Sequence, residues 1–81
     1  MRHDPARTRH FEDLTLPYAP AIYRTALYLT GAQDAEDLTQ ETYLKAFKGF
    51  DQFHGPNPKP WLFSILRHAY IDRRRKDLRD L

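Results

Sequence analysis

The stretch NPKPWLFSILRHAYIDRRRK, residues 57–76, holds the single tryptophan of an 81-residue chain and ends in four consecutive basic residues, Arg73 to Lys76. Leu62, Ile65, Leu66 and Ala69 recur at steps of three and four, so they share one face of a helix. Ser64, Arg67, His68, Ile71, Arg74 and Arg75 follow the same steps on another side. Pro60 suits the first helical position, where its missing amide would be unpaired in any case. The spacing predicts a helix from Pro60 to about Lys76. Its inner face is apolar and its outer face basic.

Working back from it, KGFDQFHGPNPKP (residues 48–60) reads as a loop, because two glycines, three prolines and an asparagine disfavour helix and strand. Phe50, Phe53 and His54 suggest that part of it folds onto the core. Before it lies a second periodic segment, Asp34 to Phe50. Asp34 is a good N-cap, and Glu36 and Asp37 place negative charge where the helix dipole favours it. Leu38, Thr42, Ala46 and Phe50 form one stripe, which Thr39, Tyr43 and Phe47 widen. Further back, Leu14, Tyr18, Ile22, Ala26 and Leu29 share a face within Phe11–Leu29. Pro17 and Pro20 would kink a continuous helix there, so a short turn is expected before the main helix. Gly31 ends it. No segment alternates as a strand. Residues 1–10 read as a loose, flexible terminus. The expected fold is all-α, a small bundle of three main helices with an irregular loop between the second and third.

Composition limits what such a bundle can do. At 81 residues the chain suits one domain, and 41% apolar with 14% aromatic residues supports one small core without a large enclosed site. Cysteine is absent, which excludes disulfides and cysteine-based zinc sites. The first twenty residues lack the apolar stretch of a signal peptide, and no run nears the roughly 18 apolar residues of a membrane span. A soluble, cytoplasmic protein is expected. His3, His10, His54 and His68 lie far apart without paired-ligand spacing, and there is no glycine-rich phosphate loop or nucleophile elbow. The reading is therefore no enzyme, no metal and no cofactor.

The net charge of +2 is unevenly placed. Residues 30–53 carry Asp34, Glu36, Asp37, Glu41 and Asp51 against Lys45 and Lys48. Residues 59–79 carry Lys59, Arg67, Arg73, Arg74, Arg75, Lys76 and Arg79 against Asp72 and Asp77. Such segregation suggests two surfaces for two partners, one of them a polyanion. On charge alone the basic helix is a solvated face, with Asp72 paired to Arg75 one turn on. The preceding loop favours binding. His54 and Asn57 can hydrogen-bond base edges, and Phe53 can stack, as in a platform for unpaired bases. Trp61, at the start of an amphipathic helix, reads as core. The outer face of the second helix carries Asp37, Gln40, Glu41 and Leu44, an apolar residue among polar ones as on a protein-binding face.

LTGAQDAEDLTQETYLKAFKGFDQF (residues 29–53) followed by PWLFSILRHAYIDRRRK (residues 60–76) resembles region 2 of the ECF (extracytoplasmic-function) sigma factors, bacterial transcription-initiation factors. The resemblance covers about Phe11 to Lys76 and implies a region 2 domain over 11–81. In that family the DAEDLxQE helix binds the clamp helices of the RNA polymerase β′ subunit, which implies that role for Asp37, Gln40, Glu41 and Leu44. The loop and following helix recognise the promoter −10 element and hold the non-template single strand, with one base flipped into a loop pocket. That implies DNA contacts for His54, Asn57 and Lys59, and for Ser64, Arg67, His68, Ile71, Arg74 and Arg75. Leu38, Phe47, Trp61, Leu62, Ile65 and Leu66 would be core, and an anti-sigma factor a further partner.

Two features depart from the family. His68 stands where an asparagine is usual after ILR, which changes what a base edge meets. Pro56, Pro58 and Pro60 should stiffen the loop toward a preformed pocket. The family's second domain, region four for the −35 element, is expected to be absent from this chain. The alternatives are a protein-interaction module and a helix-turn-helix-like binder of duplex DNA. Against the latter, the connection between the second and third helices exceeds the three- or four-residue turn of that motif.

Overall fold

The computed structural model of the chain describes residues 4–81, and among them every regular element is helical. Helix α1 spans Pro5–Thr15, α2 Ala19–Thr30, α3 Ala32–Lys48 and α4 Pro58–Arg79, with single 3-10 turns at Leu16–Tyr18 and Phe50–Gln52. The three expected helices are α2, α3 and α4. Helix α1 is an addition. The expected loose terminus covers Met1 to His3, which lie outside the described residues, and a segment that is helical from Pro5 onward. The physical reason is a cap. Asp4 is extended, and its Oδ1 accepts from the Ala6 and Arg7 amides at 3.1 and 3.2 Å, while Pro5 takes the first helical position.

The prolines act as turn formers. Pro17 lies at the start of the first 3-10 turn and Pro20 at the start of α2, where amides have no intrahelical acceptor. Gly31 joins α2 to α3 alone. Its φ of 85° and ψ of 170° lie in a region that side chains disfavour. Its amide donates to Leu27 at 2.8 Å, and its carbonyl accepts from Asp34 and Ala35 at 3.3 and 3.1 Å. Gly31, not Asp34, is therefore the N-cap of α3, and Asp34 is the acidic residue of its first turn. Helix α4 also begins earlier than expected. Asn57 caps it by accepting the Lys59 amide at 3.1 Å, and Pro58 is buried at its first position.

Helix α3 packs against both α2 and α4. The core is Phe11, Ile22, Ala26, Ala35, Leu38, Ala46, Phe50, Leu62, Leu66 and Ala69. Four alanines among these let helix axes approach closely. The expected α3 stripe of Leu38, Thr42, Ala46 and Phe50 is buried throughout. Burying Thr15 and Thr42 strands no hydroxyl, since each donates to the carbonyl four residues back, Phe11 at 2.7 Å and Leu38 at 2.8 Å. Trp61, Phe47 and Ile65 are half-buried against the core. Beyond Ala69, helix α4 buries no residue completely, so its basic end projects from the bundle.

Candidate functional site

Two faces of the bundle carry the residues singled out by the sequence. The first is the outer side of α4. Ser64, Arg67, His68, Arg74 and Arg75 are all exposed there, and Ile71 is half-buried among them. The helical register that buries Leu62, Leu66 and Ala69 turns these six outward together. Arg73, also on α4, points elsewhere. Its Nη2 lies 3.2 Å from Glu41 Oε1 on α3. Among the described residues Arg67, Arg74 and Arg75 form no ion pair, so their guanidinium forks are open to an outside anion. Asp72 does not pair with Arg75 as its spacing suggested. It faces Lys45 of α3 at 3.7 Å, because packing of α4 on α3 brings that cation closer.

The loop contributes less than its sequence promised. Only His54 and Asn57, both exposed, lie at 49–57, and Lys59 sits in the first turn of α4. Asn57 uses its Oδ1 as a cap, which leaves its amide NH2 to reach outward. Of the three prolines only Pro56 belongs to the loop; Pro58 and Pro60 are helical. Phe53 is half-buried, its ring 4.8 Å from that of Trp61. Phe50 is buried, 5.4 Å from His10 and 6.4 Å from Trp61. A cavity of about 360 Å³ opens between the loop and α1, lined by His10, Leu14, Phe50, Asp51, Phe53 and Gly55. A second groove of about 420 Å³ runs between α2 and α4, where Ser64 and Arg67 meet Thr25, Leu29, Pro60, Phe63 and Leu66.

The second face lies on α3. Asp37, Gln40 and Leu44 are exposed, and Leu44 retains 62% of its accessible surface. Glu41 departs from this group. It is half-buried and turned toward α4, 3.2 Å from Arg73 and 3.8 Å from Lys45. Two neighbouring cations hold it there as an inter-helix tie. Leu44 in turn gains neighbours that the sequence did not indicate. With Gln40, Tyr43 and Phe47 it lines an apolar groove of about 450 Å³, closed on the other side by Thr8, Phe11, Glu12 and Leu16. Tyr43 stiffens this groove, donating its hydroxyl to the Thr15 carbonyl at 2.7 Å. Burial pushes its pKa up to about 12.

Sequence reasoning missed Arg7 and His10, because residues up to ten were read as loose, and it gave Leu14 and Leu16 no part in a site. The Asp4–Pro5 pair was the available signal, a cap residue followed by proline. No group of described residues has the make-up of a metal site, and no described helix is long and apolar enough to cross a membrane.

The model of sigma-70 region 2 matches residues 14–79. The chain belongs to the sigma-70 region 2 family. Among its curated relatives, the ECF RNA polymerase sigma factor SigE of Mycolicibacterium smegmatis is 35% identical over 79 residues, 94% of this chain and 31% of that protein. SigM of Bacillus subtilis, also an ECF RNA polymerase sigma factor, is 37% identical over 79% of this chain and 40% of its own length. EcfG of Rhodopseudomonas palustris, another, is 38% identical over 91% of this chain and 42% of its own. The chain thus spans less than half the length of these relatives. No solved structure matches it. Within the sigma region 2 family the two faces described above are the surfaces to which a function must be assigned.

Proposed function

We propose that the chain acts in bacterial transcription initiation as region 2 of an ECF sigma factor, with α3 meeting RNA polymerase and α4 meeting promoter DNA. The observation that carries this reading is the division of exposed chemistry between two helices. Gln40 and Leu44 line an apolar groove on α3, with Asp37 exposed on the same helix, while Arg67, Arg74 and Arg75 stand unpaired among the described residues on α4. The α3 groove suits an apolar ridge on a helical partner, here the β′ clamp helices, with basic residues facing Asp37 and Glu12. Glu41 acts behind this face by fixing α4 through Arg73.

On the DNA side the mechanism is differential binding. Arg74 and Arg75 hold phosphates without regard to sequence. His54, Asn57, Lys59, Ser64, Arg67, His68 and Ile71 meet the non-template strand of the −10 element. A flipped base can enter a loop cavity only once unpaired, so binding favours the open strand and stabilises melting. Unstacking costs about a few kcal/mol per base. An anti-sigma factor covering either face would switch the domain off, and the site of action is the bacterial cytoplasm.

The test offers one oligonucleotide pool of random core sequence, as single strand and as duplex, with the β′ clamp coiled coil present. Enrichment of a short motif in the single strand is expected, and Asn57→Ser, which keeps the cap, should blur that motif. Preference for duplex would overturn the single-strand reading. Failure of the coiled coil to bind would remove the role given to Asp37, Gln40 and Leu44.

A further inference from the structure

One side chain of α1 grips the start of the loop from outside. Arg7 Nη2 donates to the Phe47 carbonyl at 2.8 Å, and Arg7 Nε donates to Asp51 Oδ1 at 3.0 Å. The guanidinium lies 4.5 Å from the centroid of the Phe47 ring and 5.6 Å from that of Phe50. Phe47 belongs to the last turn of α3, and its carbonyl, which the Gly49 amide also approaches, has acceptor capacity to spare. Asp51 belongs to the 3-10 turn that opens the loop. One planar fork therefore spans the junction at Gly49 and sets the angle at which the chain leaves α3.

The parts of this grip are unequal. Asp51 is 81% exposed, and an exposed ion pair contributes little. Arg7 is only 25% exposed, so its bond to the carbonyl and its two ring contacts do most of the holding. Phe50 and Asp51, which it holds, also line the cavity of about 360 Å³ beside the loop.

We propose that Arg7 is a positioning residue that sets the geometry of the loop at 49–57 and, through it, base preference on the single strand; the second half rests on the function proposed above. Arg7 touches no residue assigned to DNA contact, so it acts only through the loop. Trp61 supplies an independent readout. It is the single tryptophan, and its ring lies 4.8 Å from Phe53 and 6.4 Å from Phe50.

The experiment compares the wild-type chain with Arg7→Ala, Arg7→Lys and Asp51→Asn. Helicity, Trp61 fluorescence and selection from the single-strand pool are measured on each. Arg7→Ala should shift Trp61 emission and flatten the preference of selected over random strand by about tenfold, the scale of one lost charge-assisted hydrogen bond. Its affinity for random strand and the salt dependence of that affinity should stay unchanged. Arg7→Lys, which keeps the charge but loses the fork, should fall between, and Asp51→Asn should resemble wild type. Unchanged emission and preference in Arg7→Ala at native helicity would overturn the proposal. Shifted emission with intact preference would also overturn it, reducing Arg7 to a brace of the fold. A wild-type chain with no single-strand preference would sink the function reading and this role in base preference together. Trp61 emission would then still report whether Arg7 holds the loop.

Discussion

Tyr43 shows how much one side chain of α3 can do. Its ring lines the groove between α3 and α1, and its hydroxyl ties α3 to the end of α1 through the Thr15 carbonyl. Burial raises its pKa from 10.0 to about 12, so the neutral phenol is favoured in the folded chain. The unfolded chain therefore loses this proton first. The associated stability is complete below about pH 10 and disappears as pH rises toward 12. Tyr43→Phe should cost about 1 kcal/mol at neutral pH through the lost hydrogen bond. It should also soften the alkaline decline, which denaturant midpoints measured up to pH 12 would reveal. Equal decline in both proteins would show that another group is responsible. Glu41 and Asp72 teach a related point at this scale. Their helical spacing offers several partners, and only the approach of α4 to α3 selects Arg73 for one and Lys45 for the other.

Elements in this fold are delimited by caps more than by periodicity. Asp4 starts α1, Gly31 ends α2 and begins α3, and Asn57 starts α4. Gly31 is the position that tolerates least. A Cβ there would meet no atom within 4 Å, so the penalty of Gly31→Ala would come from the backbone at φ 85° alone. A loss of roughly 1–3 kcal/mol is expected, with the core otherwise intact, measurable as a lower denaturant midpoint at unchanged slope. A neutral outcome would mean that the turn can adopt another conformation at no cost. The periodic stripes of α2, α3 and the first half of α4 were legible because one buried face imposes a 3.6-residue period. Helix α1 was not, because its apolar residues are few. Only Phe11 and Thr15 are buried, and a charged residue, Arg7, makes its contact with the loop.

At the scale of the whole molecule, charge is sorted by helix. Asp37 and Leu44 are exposed on α3, and Arg67, Arg74 and Arg75, unpaired among the described residues, are exposed on α4. If Arg74 and Arg75 each hold one phosphate, replacing both with alanine should weaken single-strand binding on every sequence. It should also reduce the slope of log affinity against log salt by about 1.4, near 0.7 per contact. An unchanged slope would return these arginines to the role of solvated charge. The sequence by itself determined the all-α class, the inward stripes, the basic outer face of α4 and the family motifs, since each depends on residues a few positions apart. Tertiary structure alone decided what depends on distant segments meeting. It turned Glu41 and Arg73 toward each other, engaged Phe53 with Trp61, and folded α1 over α3 so that Leu44 gained a groove and Arg7 reached the loop. Local spacing sets which side of a helix a residue occupies. Which partner waits on that side is set by how helices far apart in the chain pack, and neighbours in sequence carry no record of it.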